Sequence, residues 1–254
     1  MTGQSEMTLT PFVKRGAAAD LPRFAAEFMG LSAIAETNTV RVPEVFDYGT
    51  DDGGAFMKME WLDLRPMTAD AAVRLGRELA RMHKRDWHAF GWTLDNYLGD
   101  TLQPNDYVED WPAFFAEFRL GHQIELAEKN GYGGPITRRV RKIIDRLPEL
   151  LGHRPRPSLI HGDLWSGNHG MLPDGTPVVF DPAAHFADRE CDLAMAALFG
   201  GFHPAFFDAY VEAWPMLPGW QTRWKVYQLY HVLNHLNLFG ESYLVQAEAL
   251  LAEI

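Results

Sequence analysis

The sequence predicts an α+β fold in two lobes: a small, truncated β-rich one carrying a single helix, and a larger, mainly helical one. Three observations carry this. Three apolar-rich segments with strand character and one helical stretch lie within the first 62 residues, and from Ala72 onward apolar residues recur mostly at helical spacing. One β-like island, Ser158 to Ala184, interrupts the helical part. The change of pattern sets the expected domains at residues 1–62 and 63–254.

The elements follow in order. Thr8 to Val13 reads as a short strand ending at Lys14, and Asp20 stands where a helix N-cap belongs. Behind it Phe24, Phe28, Leu31 and Ala35 share one helical face, with Glu27 beside that face. Arg41 to Tyr48 and Ala55 to Met59 are apolar-rich and separated by the turn signal Asp51-Asp52-Gly53-Gly54, so they read as paired strands. Ala72, Leu75, Leu79 and Met82 mark the next helix. Inside the island, Leu159-Ile160 leads into His161-Gly162-Asp163, and Pro177 to Phe180 is a β-rich run stopped by Asp181-Pro182. Two short strands thus flank a polar loop. The tail is aromatic and helical, from Phe206, Tyr210 and Trp214 to Tyr227, Tyr230, His231, His235 and Phe239, and such stripes read as core by default.

Composition narrows the function. The 254 residues are 47% hydrophobic and 22% charged, enough for a sizeable core. Lys plus Arg number 23 against 34 for Asp plus Glu, a net charge of −11, which argues against a nucleic-acid partner. No apolar run reaches the roughly 18 residues of a membrane span, so no membrane partner is expected. A lone Cys191 permits no internal disulfide, and Met1 to Pro11 lacks the pattern of a secretion signal; both fit a cytoplasmic protein.

The island holds the chemistry. It reads His161-Gly162-Asp163-Leu164-Trp165-Ser166-Gly167-Asn168, with Asp181 closing the next strand. Phosphoryl transfer from ATP needs a carboxylate to orient the acceptor hydroxyl, and divalent ions held by a second carboxylate and an amide oxygen. The five-position step from Asp163 to Asn168 matches the spacing of the kinase catalytic loop, with Gly162 in place of its Arg. Asp163 is then the expected base, and Asn168 and Asp181 the Mg²⁺ ligands. Taken singly, these residues could equally form Asx turns or stop a strand; the joint spacing favours chemistry. Lys14 at a strand end and Glu27 on a helix stand in the order of the ion pair that holds the α- and β-phosphates. Trp165, two residues after the expected base, could contact the substrate or close its own loop. His231 and His235, one helical turn apart, are candidate cleft residues, although core histidines are commoner. Arg189 and Asp192 are expected to brace the catalytic loop.

Beyond spacing, His161 to Asn168, Phe180-Asp181-Pro182-Ala183 and Asp188 to Met195 resemble the fructosamine kinase (ketosamine 3-kinase) family. Phe90-Gly91-Trp92, Asn96-Tyr97-Leu98-Gly99, Gln103-Pro104-Asn105, Trp111 and the tail from Tyr227 to Gly240 extend the likeness from about residue 12 to the end. The resemblance implies a protein-kinase-like fold, ATP with Mg²⁺, and phosphorylation of the sugar 3-hydroxyl of a ketoamine, which destabilises the adduct and so deglycates the amine. It also implies that the backbone of Met59-Glu60-Trp61-Leu62 contacts adenine. Only 13 residues precede Lys14, Gly3 being the one glycine among them, too few for two strands and their turn, so the glycine-containing hairpin over the phosphates is expected to be missing. The competing reading is a catalytically weak or inactive kinase-fold binding protein, and a further one is a kinase for a different small-molecule hydroxyl.

Overall fold

Phe12–Gly16 (β1), Val45–Asp51 (β2) and Gly54–Met59 (β3) form an antiparallel sheet in the order β1-β3-β2 in the computed structural model, which describes residues 11–254. The first strand begins at Phe12 and runs two residues past Lys14; Thr8 to Thr10 lie outside the described residues, as does Gly3. The second strand starts at Val45 rather than at Arg41. Pro43 has no N–H to give a ladder, and Arg41 instead accepts at its carbonyl from Val179 N at 3.0 Å. The Asp51–Gly54 turn joins β2 to β3 as expected, and Gly54 needs its φ of 101° because a Cβ there would meet the Gly16 carbonyl at 2.3 Å.

The helix Leu21–Glu36 (α1) packs on this sheet through Phe24, Leu31 and Ile34. Its inward face differs from expectation: Ala35 is exposed and Ile34 takes its place. Asp20 sits at the N-cap position, but with helical φ and ψ its carboxylate points back to accept from Ala17 N at 2.8 Å. Pro22 removes one of the N–H groups a forward cap would use.

Ala69–Met82 (α2) is capped by Thr68 and buries Ala72, Leu75, Leu79 and Met82, as their spacing predicts. A hairpin of Asn96–Leu98 (β4) and Thr101–Gln103 (β5) follows, a second β feature where only the island was expected. Strands of three residues are too short to show alternation. Trp111–Phe115 (α3) continues through a π-helical turn, Ala116–Gly121, into His122–Lys129 (α4), and Pro135–Leu150 (α5) lies beside them. In the island, Ser158–Ile160 (β6) pairs with His185–Ala187 (β9), and His169–Met171 (β7) with Pro177–Val179 (β8). The two expected strands each take a different partner. Glu190–Leu198 (α6), Pro204–Ala213 (α7), Trp220–Phe239 (α8) and Leu244–Glu253 (α9) complete the chain.

One core centres on α8 with α3, α4 and α5. The other joins Phe24, Leu31, Ile34 and Met57 of the small lobe to Leu75, Leu79, Leu164, Val179 and Tyr210. The change of pattern near residue 62 is therefore not a break in packing. No described helix is long and apolar enough to cross a membrane.

Gly76 lets α2 and α7 touch, since a Cβ there would lie 2.3 Å from the Phe206 carbonyl. Gly76→Ala is expected to destabilise the fold by about 1–3 kcal/mol, read as a lower melting temperature despite alanine's better helix propensity.

Candidate active site

The strand β6 delivers His161, Gly162 and Asp163 to the cleft, and a fully buried carboxylate fixes them there. Asp192, in the first turn of α6, accepts from His161 N at 2.7 Å and Gly162 N at 2.8 Å. His83 Nε2 supplies a third contact at 3.0 Å, its other nitrogen facing the Tyr210 hydroxyl at 2.7 Å. Burial opposes the charge, yet these donors hold the Asp192 carboxyl below its ordinary range. His161 in turn donates from Nε2 to the Phe180 carbonyl at 3.0 Å, tying the loop to the strand before Asp181. Gly162 adopts φ 83°, and a Cβ would stand 2.1 Å from the Ala183 carbonyl, so no arginine can occupy this position.

The loop brings its two polar ends together. Asn168 Nδ2 donates to the Asp163 carbonyl at 2.9 Å and to Asp163 Oδ2 at 3.2 Å. Burial pushes the Asp163 carboxyl up to about 7, the Asn168 bond pulling against it and the Asp181 charge adding to it. Asp181 lies across the site at φ 56°, in the left-handed region that few non-glycine residues adopt and aspartate tolerates better than most. Lys14 Nζ bridges Glu27 Oε1 at 2.6 Å and Asp181 Oδ1 at 2.7 Å. Burial raises Glu27 to about 6, Lys14 opposing this; burial works against charge on Lys14 too, but the two carboxylates raise its pKa.

The five residues read from the motif order thus converge around one cavity of about 290 Å³, whose wall also carries Asn96, Arg23 and Trp165. On one side it meets a cleft of about 260 Å³ lined by Phe12, Met59, Glu60, Trp61, Leu62 and Phe180, with Lys14 and Asp181 common to both. On the other it meets a cavity of about 500 Å³, with Gly99, Asp163 and Trp165 common to both. Three neighbouring spaces therefore lie side by side along a groove, sharing walls at Lys14–Asp181 and at Asp163–Trp165.

Trp165 is 40% exposed, its ring folded over Gly167 in its own loop while also lining two of the spaces. His235 lines the largest space. Its Nδ1 lies 2.8 Å from the His231 carbonyl, which can only accept, so Nδ1 carries the hydrogen and Nε2 is the lone-pair nitrogen. His231 itself is buried in the core, pulled down to about 3 by burial, and lines none of the three spaces. Sequence reasoning missed Phe199, Phe239 and Tyr243, which line the largest space with His235. It had assigned the aromatic tail, Phe239 included, to core, and nothing in the spacing separates a rim residue from a buried one. It also missed Arg23, which bridges Asp20 and, at 2.8 Å, Asp100 on the β4–β5 turn.

The fructosamine kinase family model matches residues 4–254. The chain belongs to this family. Fructosamine kinases are phosphotransferases with an alcohol group as acceptor, and the chain is an enzyme of that class. A probable ketoamine kinase of Synechocystis sp. is 44% identical over 244 residues, 95% of this chain and 82% of that one. One from Escherichia coli K12 is 44% identical over 93% of this chain and 82% of its own. Among solved structures, a protein described as "putative fructosamine-3-kinase" from Thermobifida fusca superposes with a TM-score of 0.85 at 37% identity, covering 95% of this chain and 84% of that one. Choline kinase LicA of Streptococcus pneumoniae, at 15% identity and a TM-score of 0.67 over 98% of this chain and 88% of that one, shares the protein-kinase-like fold.

Because the folded Asp163 carboxyl titrates near 7, it binds a proton that the unfolded chain has released. The stability this gives is complete below the ordinary carboxylate range and is lost as pH rises through about 7. Asp163→Asn is therefore expected to raise the melting temperature relative to wild type at about pH 8 more than at about pH 4, as scanning calorimetry would read.

Proposed function

We propose that the chain transfers the γ-phosphoryl group of ATP to the sugar 3-hydroxyl of a ketoamine, so that the phosphorylated adduct falls apart and the amine is freed. The single observation supporting this reading is the groove itself, with Lys14–Asp181 and Asp163–Trp165 dividing it into nucleotide, phosphate and acceptor spaces. Adenine enters the first. The Glu60 carbonyl and the Leu62 N–H have no backbone partner among the described residues, and two such groups, an acceptor and a donor two residues apart, suit adenine's N6 amino group and N1. The Glu60 carboxylate is turned away to Arg41 and Glu44 N, leaving only its backbone for the nucleotide.

Lys14 then holds the α- and β-phosphates, kept charged and aimed by Glu27. The Asp181 carboxylate and the Asn168 Oδ1, which accepts no hydrogen bond among the described residues, form a hard oxygen donor set suited to Mg²⁺. That ion, when bound, would neutralise charge on the transferring phosphoryl group. Asp163 uses Oδ2 for Asn168, while its Oδ1, which accepts no hydrogen bond among the described residues, faces the acceptor. The sugar oxygen attacks the γ-phosphorus, its bond to phosphorus forms as the bridging P–O bond to ADP breaks, and its proton passes to Asp163. His235 Nε2 accepts from another sugar hydroxyl, and Trp165 offers a ring face for the sugar. His231, enclosed in the core, supports His235 through its carbonyl and does not reach the sugar.

Coupled assay of ADP release with ATP, Mg²⁺ and a fructosyl- or ribulosyl-amine is the direct test, and absence of release across several such ketoamines would refute the reading. Asp163→Asn is expected to lower kcat by roughly 10²–10⁴-fold while leaving nucleotide affinity in place. Asp181→Asn should in addition weaken Mg-nucleotide binding in a calorimetric titration; unchanged affinity would remove Asp181 from the metal site.

A further inference from the structure

The largest space in the groove is walled for a particular kind of amine. Phe239 is 63% exposed, Trp165 40% and Phe199 37%, an unusual concentration of wetted aromatic surface for one rim. Their rings are not scattered. His235 sits among Phe199, Tyr243 and Phe239 at centroid distances of 4.9, 5.0 and 5.4 Å, and Phe239 and Tyr243 are 6.0 Å apart.

The charge of the wall is as informative as its rings. Although the chain carries 23 lysines and arginines, none lines this space, and its one carboxylate among the described residues, Asp163, is committed to the acceptor hydroxyl. Burial keeps His235 below its ordinary range, so it adds no cation near neutral pH. The wall also includes the last turn of α8, from His235 to Phe239, where the helix dipole presents its negative end. A carboxylate on the amine side of the substrate would lose water here, gain no cationic partner and face that negative end. An apolar ring would instead cover the exposed aromatic surface, and a protonated amine nitrogen would meet π faces.

We infer that the acceptor space selects ketoamines whose nitrogen substituent is uncharged and apolar, above all aromatic, over those of amino acids with a free α-carboxylate. This rests on the ketoamine kinase reading above, deepening it to the amine half of the substrate. Phe239, Phe199 and Tyr243 are the specificity-determining residues, and Phe239, at the open end of the helix, is the one whose loss least disturbs the fold.

The test compares two ketoamines with the same sugar, one made from benzylamine and one from glycine. Wild type should favour the benzylamine adduct in kcat/KM by roughly tenfold or more, chiefly through KM. Phe239→Ser should bring that ratio toward one, whereas Phe239→Trp should retain it, and thermal melts establish that both variants are folded. Equal use of the two adducts, preference for the glycine adduct, or a ratio unmoved by Phe239→Ser would overturn the inference while leaving the kinase reading intact. Absence of ADP release with every ketoamine would overturn the kinase reading and this inference with it.

Discussion

The loop from His161 to Asn168 depends on the Asp192 carboxylate. A charge with no exposure is tolerable only when its oxygens are occupied, and here two backbone N–H groups and an imidazole occupy them. The arrangement reverses the usual direction of dependence, since it is the loop backbone that satisfies the buried charge. His161 and Gly162 cannot drift without orphaning Asp192, and so Asp163 inherits a fixed position. Neighbouring charges work in the same way. Asp188 receives His153 at 2.8 Å and the Tyr227 hydroxyl at 2.5 Å, and Glu190 receives Arg223 at 2.6 and 2.9 Å. Arg189, expected beside Asp192 as a brace of the catalytic loop, lies over Trp214 and donates to the Trp214 and Pro215 carbonyls. It also donates to the Tyr210 hydroxyl at 3.1 Å, and through Tyr210 and His83 it reaches Asp192, so it braces both the segment after α7 and, indirectly, the loop.

A second buried network gives a physical role to sequence features that carry no chemistry. Asn96 donates to the Ala184 carbonyl at 2.9 Å and accepts from Gln103 and Asn105, while Gln103 accepts from the Tyr230 hydroxyl at 2.6 Å. At its centre is Arg119, carried by the π-helical turn and wholly enclosed. It donates to Asn105 Oδ1 and the Pro104 carbonyl, both at 2.7 Å, with Phe114 and Tyr230 rings beside it. Burial draws its pKa down to about 10, which still leaves it charged at neutral pH. Amide dipoles and ring faces take the place of a counter-ion. The network links α8 to the chain just after Asp181, and so connects the helix that carries His235 to the side of the cavity that carries Asp181.

How much of this was legible in the sequence depended on whether the signal was local. The apolar spacing of α2 and the Asp51–Gly54 turn are written within a few residues, and both elements form where expected. The order Lys14, Glu27, Asp163, Asn168, Asp181 was readable because residue type and spacing occur together in it, and the structure gathers all five around one cavity. Strand pairing was not readable: β6 meets β9 and β8 meets β7 through contacts that three-residue strands do not announce. His231 and His235 have the same type and lie one turn apart, yet one is sealed into the core and the other opens on the cavity. Periodicity places residues on a helix face but cannot say where along its length the neighbouring wall ends, and the same blindness hid Phe239.

The apolar cluster shared by α1, β3, α2 and α7 has an architectural consequence. Severing the chain after Leu62 would expose Phe24, Leu31 and Ile34 on one fragment and Leu75 and Leu79 on the other, each left without its counterpart. Neither piece would keep an intact core if transplanted alone. Recombining halves from distant homologues would require matching that seam first.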